Sequence, residues 1–168
     1  MIKPTIQQLP DTKLVGMSVR MSFLNNRIPE LWRGFMPRKK EVKNQVGSEL
    51  YSVEIYSDPT YFKHFNPVSQ FEKWAAVSVS DFDSIPESMK SMIIPAGLYA
   101  VFPFKGSDSE APKLYQYIIG KWIPNSTYEL DHRPHFAVMG EKYKNNDSES
   151  EEDFWIPIRT KKEKSAQE

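Results

Sequence analysis

His132 and His135 stand three residues apart, a spacing from which a metal could be held. Pro134 between them rules out a regular helix, the chain has no cysteine, and no third histidine lies near. A closed site needs three or four converging ligands, so the pair reads as structural and no metal ligand is assigned. The acidic run Asp147, Glu149, Glu151, Glu152 and Asp153 lacks the glycine and the spacing of a calcium loop and reads as a solvated turn. Ser78 has neither a Gly-x-Ser-x-Gly elbow nor a histidine partner in sequence, which argues against a serine nucleophile. Arg38, Lys39 and Lys40 with Lys43 form a basic run, read as a solvated helix end. With 22 basic and 22 acidic residues the chain has no net field to draw a polyanion, so direct nucleic-acid binding is not expected. No catalytic residue and no cofactor is assigned.

What is left is an aromatic surplus: four Trp, eight Tyr and ten Phe in 168 residues. Aromatic side chains fill cores or wall ligand pockets, and composition alone does not separate the two. The candidates for a pocket wall are Trp32, Tyr51, Trp74, Phe102, Tyr115, Trp122 and Trp155. The absence of cysteine points to a reducing compartment. The N-terminus lacks a basic-then-apolar leader, and no apolar run is long enough to span a bilayer. A soluble, cytoplasmic protein without membrane contact is the expectation.

The elements that must position these side chains follow from periodicity. From Lys13 to Phe23 apolar residues alternate with polar ones, as in a half-buried strand. After Asn25 and Asn26, residues Ile28, Leu31, Trp32 and Phe35 recur at helical spacing until Pro37. Residues 50–56 and 74–79 read as strands, and 81–95 as a linker with a turn at Pro86. A second cycle then begins: a strand over 98–104, and a helix opened by Ser109 and Pro112 and stopped by Pro124. An extended stretch over 134–143 and a last strand over 154–158 follow. The order predicts an α+β fold of duplicated β-α-β-β units, a mostly antiparallel sheet with two helices on one face and a cleft between the halves. The boundaries are an N-terminal extension over 1–11, a domain over 12–160 with halves of about 12–80 and 94–160, and a disordered tail over 161–168.

Several separate stretches, in order, resemble the GyrI-like (gyrase-inhibitor-like) effector-binding domains, which also occur in AraC-type bacterial regulators. They are FEKWAAV at 71–77, IPAGLYAVF at 94–102, WIPNS at 122–126, YELDHRPHF at 128–136, GEKY at 140–143 and WIPI at 155–158. The resemblance implies the duplicated fold, a cleft at the seam, and recognition of hydrophobic or polyaromatic compounds, cationic ones among them. It also implies that Glu129, Asp131 and Arg133 fix a strand entry through ion pairs. The chain departs from the family pattern at Ser78 and Ala137, where relatives often carry Glu. The ligand-binding set is therefore Trp32, Tyr51, Trp74, Ser78, Phe102, Tyr115, Trp122, Ala137 and Trp155, with a site less acidic and roomier than the family norm. Asp153 shares parity with Trp155 and could approach the cleft from its rim.

The function expected is a stand-alone effector-binding protein linked to transcription regulation or drug sensing, with a hydrophobic small molecule and a separate regulator protein as partners. A small hydrolase acting on a xenobiotic in the same cleft is the alternative from a different class, weakened by the two absent acids. An inhibitory protein partner of gyrase type is the third.

Overall fold

The computed structural model describes residues 3–107, 110–140 and 149–161. Strand β1, Thr5–Leu9, precedes β2, Thr12–Met21, whose alternation places Val15, Met17, Val19 and Met21 on one face and Leu14 and Gly16 on the other. Helix α1, Ile28–Phe35, starts with a proline in its first turn and with Asn26 Oδ1 accepting the Ile28 N–H at 2.9 Å. It tightens into a 3-10 segment, Met36–Glu41, at Pro37. Strands β3, Leu50–Ile55, and β4, Phe71–Ser78, complete the first half. After β5, Lys90–Ile94, the second half repeats the pattern with β6, Gly97–Lys105, and α2, Ala111–Tyr117, which widens into a π-turn segment, Ile118–Trp122. Strands β7, Tyr128–Leu130, β8, His135–Met139, and β9, Glu151–Thr160, follow.

All the strands join one antiparallel sheet in the order β1-β6-β9-β8-β3-β4-β2-β5, with β7 beside β9. The order is a palindrome: β2, β3 and β4 of the first half occupy the places that β6, β8 and β9 hold in the second. The fold class expected from the order of elements is the one observed.

The outermost strands are exchanged between halves. β1 pairs with β6 and β5 with β2, so the stretches read from sequence as an N-terminal extension and a linker each hold an edge strand of the opposite half. Only residues 10–11 separate β1 from β2 and only residues 95–96 separate β5 from β6, although these pairs lie near opposite ends of the strand order. The ends must therefore meet, and the sheet rolls. Asp11 Oδ1 accepts the Ala96 N–H at 2.7 Å and ties the two crossings together.

Rolling gives the sheet an inner face covered by no helix. Leu14, Val53, Trp74, Ala76, Ile94, Tyr99, Val101 and Phe136, drawn from strands across the whole order, bury one another there. The outer face carries the helices. α1 sets Leu31 and Phe35 on Val15, Ala75 and Val77, and α2 with its π-turn sets Leu114 and Ile118 on Ala100, Phe102, Phe154 and Ile156. Arg133 enters the base of the second half: it binds Asp131 at 2.7 Å, donates to the carbonyls of Leu98 at 2.7 Å and Ile158 at 3.0 Å, and lies over the Tyr99 ring. This is the ion-paired strand entry that the resemblance implied. The 141–143 end of the extended stretch, Ser109 and the tail beyond residue 161 lie outside the described residues.

Gly16 sits opposite Ala76 on the inner face, where an added methyl would meet the Ala76 Cα at 2.6 Å and the Ala75 carbonyl closer still. Because backbone cannot yield as a side-chain end can, Gly16→Ala should destabilise the fold by about 1–3 kcal/mol. Urea unfolding, read as a lowered midpoint at unchanged slope, checks this.

Candidate functional site

The two halves meet where β3 pairs with β8, in the register Leu50↔Met139, Ser52↔Ala137 and Glu54↔His135. α1 lies over β2 and β4, and α2 over β6 and β9, so neither helix covers this seam. Ala75, Phe102 and Ile156 under the helices are fully buried; along the seam Met139 and His135 at its two ends are buried, and Leu50, Ser52 and Ala137 between them are half-buried. This partly exposed strip of the outer face, between the two helix-covered clusters, is the candidate cleft.

Tyr115 of α2 forms one wall, with its hydroxyl 3.0 Å from His135 Nδ1 and its ring stacked against the imidazole. On the other side, the flank of α1 that bears Gly34 lies over Met17 of β2. Trp32 is about 160° round the helix from Gly34 and so belongs to the flank turned toward β3.

One end of the cleft is closed by the chain between β3 and β4. Tyr56, Tyr61 and Phe71 form a buried aromatic knot with Met21 and, at its edge, Ile28 and Phe62. Phe62 stacks on Tyr115 and packs against His135 at 5.3 Å between ring centres. Beneath these rings lies a cross-strand pair of opposite charges. Lys73 Nζ of β4 donates to Glu54 Oε2 at 2.9 Å, with side-chain exposures of 8% and 21%, and the Tyr56 hydroxyl donates to Glu54 Oε1 at 2.8 Å.

Burial governs the protonation of this cluster. It would raise the Glu54 carboxyl, but the Lys73 charge and the hydrogen bonds from Lys73 and Tyr56 outweigh it and hold the group below its usual value. Tyr56 and Tyr115 are held well above the usual phenol range, first by burial and then by the Glu54 charge. Burial pushes His135 down to about 4, against the opposing pull of Glu54, so the imidazole is neutral near pH 7. The cluster thus holds one negative and one positive charge that cancel, ringed by neutral donors and aromatic faces.

The nine residues picked from sequence are distributed by the sheet. Tyr115 and Ala137 pack at the margin of the α2 cluster and Trp32 at the margin of the α1 cluster, on the outer face to either side of the seam. Phe102 is buried core under α2, with Trp122 edge-on to it and stacked on Tyr128, away from the seam. Tyr51, Trp74, Ser78 and Trp155 belong to the inner face, where Tyr51 and Trp155 pack on Phe136. A single pocket cannot touch both sides of a sheet, so the nine do not share one. Asp153 goes with the inner face too, opposite Val138, and burial, then Glu151, raises its carboxyl.

Sequence reasoning missed Glu54, Lys73, Tyr56, Tyr61, Phe62 and the cleft role of His135. The available signal was a charge inside each of two largely apolar strands, Glu54 in LYSVEI and Lys73 in FEKWAAVS. The expectation of a floor stripped of acid also needs correction. Ala137 is apolar, but Glu54 supplies a carboxylate on the neighbouring strand, and Ser78 lies on the opposite face of the sheet.

Fold and site together define a duplicated α+β module with its candidate site at the seam of its halves. Residues 2–159 match the family described as the GyrI-like small molecule binding domain, and the chain belongs to that family. It is similar to the transcriptional regulator BrlR of Pseudomonas aeruginosa, 27% identical over 154 residues that cover 91% of this chain and 54% of the relative. The chain therefore spans about half the length of that curated relative. Among solved structures, SAV2435 bound to tetraphenylphosphonium superposes with a TM-score of 0.67 at 14% identity, covering 94% of each chain. The C-terminal domain of EcmrR gives 0.68 at 16% identity, covering 96% of this chain and 99% of that one. These two share the fold.

His135 makes the fold acid-sensitive. Its native value lies below the ordinary 6.5, so between pH 6.5 and about 4 the unfolded chain binds a proton that the native one does not. Its contribution is lost as pH falls through that window, by roughly 3 kcal/mol. Glu54, lowered rather than raised, adds its loss only as pH falls below about 4.5. Urea midpoints measured from pH 7 to pH 4 should fall steeply for the native chain and markedly less for His135→Phe.

Proposed function

We propose that this small-molecule binding domain takes a hydrophobic aryl compound in the seam cleft, as the effector module of a transcription-regulating system. The observation that carries the reading is the uncovered β3–β8 seam, with half-buried Ala137 and Ser52 on its floor between Tyr115 and the Trp32 flank of α1. A strip of sheet left open between two helices, walled by aromatic rings and floored by small side chains, is the kind of concave site that small ligands use. Family membership supports it, as does the tetraphenylphosphonium bound to the fold relative SAV2435. The regulatory part rests on the similarity to BrlR, a transcriptional regulator. The partner is then a DNA-binding regulator acting in the cytoplasm, with this chain contributing ligand recognition and no direct nucleic-acid contact. Among the described residues no helix is long and apolar enough to cross a membrane.

Ala137 gives the sharpest test because it is small, half-buried and central. Ala137→Trp should fill the cleft and abolish binding of a neutral aryl probe, triphenylphosphine oxide, in isothermal titration calorimetry. Ser78→Trp, on the inner face, should leave the affinity within about two-fold, the scale of a substitution that does not touch the ligand. Equal loss in both variants, with both folded by circular dichroism, would place the ligand elsewhere.

A further inference from the structure

Lys73 is a buried charged side chain in a mostly buried strand, and the cleft reading alone gives it no task. Its ammonium is 2.9 Å from Glu54 Oε2, with its side chain 8% exposed, and the β3–β4 register places the two directly opposite each other. Glu54 is the acid that a positively charged ligand in the seam cleft would seek. It shares the outer face with Ser52 and Ala137, and its cross-strand neighbour on β8 is His135, which Tyr115 and Phe62 cover. We propose that Lys73 is the specificity-determining residue of this cleft: a built-in countercharge that occupies the acid and sets the site against cations in favour of neutral aryl compounds. The inference rests on the seam-cleft reading above and goes further by naming the charge class of the ligand.

The energetic argument is one of tethering. A free cation pays translational freedom on entry, whereas Lys73 is held opposite Glu54 by the strand ladder and pays none of it. A cation that displaced Lys73 would also leave the ammonium buried without an anion, a costly state for a group so little exposed. The adjacent carboxylate is no substitute. Glu72, next in sequence, projects from the opposite face of β4 and pairs with Lys90. A neutral aryl compound leaves the Glu54–Lys73 pair intact and needs only the ring faces above it.

Isothermal titration of two probes of similar aryl shape, tetraphenylphosphonium chloride and triphenylphosphine oxide, tests this. The native chain should favour the neutral oxide. Lys73→Gln removes the charge while keeping an amide that can donate to Glu54, and should raise phosphonium affinity about ten-fold or more with little change for the oxide, the scale of one freed charge partner. The double variant Lys73→Met, Glu54→Gln carries no unpaired charge, which removes the cost that could unfold the single variant, and it should return to the native preference. An unchanged ratio of the two affinities in Lys73→Gln, or a cation gain that persists in the double variant, overturns the assignment to Lys73. If neither the native chain nor any variant binds either probe, the seam-cleft reading itself falls. The two failures are therefore distinguishable.

Discussion

The pairing of β3 with β8 is the constraint on which the rest of the molecule depends. Among the described residues it is the only ladder between the central strands of the two halves, and it runs for five residue pairs. By itself so short a contact is marginal. The exchanged edge strands reinforce it, since β1 completes the second half and β5 the first, so neither half has its full sheet alone. The same pairing dictates the site: it holds Glu54 beside His135 and Ser52 beside Ala137, and it keeps α1 and α2 far enough apart to leave the seam uncovered.

The aromatic surplus is divided among distinct tasks. Tyr51, Trp74, Tyr99, Phe136 and Trp155 fill the inside of the rolled sheet, where a helix would otherwise be needed. Phe102, Phe104 and Phe154 seat α2. Tyr56, Tyr61, Phe62 and Phe71 close the end of the cleft over the one charged pair in its floor. Whether the aromatic content meant core or pocket thus has a mixed answer, with most of the large rings serving as core and the connection between β3 and β4 carrying rings that do both.

The charge arrangement follows from the same packing. Under those rings a lone carboxylate would be driven neutral, and a lone ammonium likewise. Placed opposite Lys73 on the neighbouring strand, the Glu54 carboxyl is held below its usual value, with Tyr56 supplying one more hydrogen bond to it. The price of that neutrality falls on recognition, because an acid already answered by its own chain offers little to an incoming cation.

By itself the sequence determined the elements whose signals are local. The alternation of β2, the helical stripes beginning at Ile28 and after Pro112, and the turn residues that separate strands are all read within a window of a dozen residues, and they yield the duplicated order; the family resemblance came separately, from short motifs in order. β1, β5 and β7 escaped because their partners lie far along the chain and their own exposure breaks any apolar pattern. The site was legible only in part for a related reason. Period-two alternation states which residues of one strand share a face, but not which face of the next strand lies beside it. That is decided by register, which put Trp74 and Trp155 inside the roll, left Tyr115, Ala137 and Trp32 at the seam, and set Glu54 opposite Lys73.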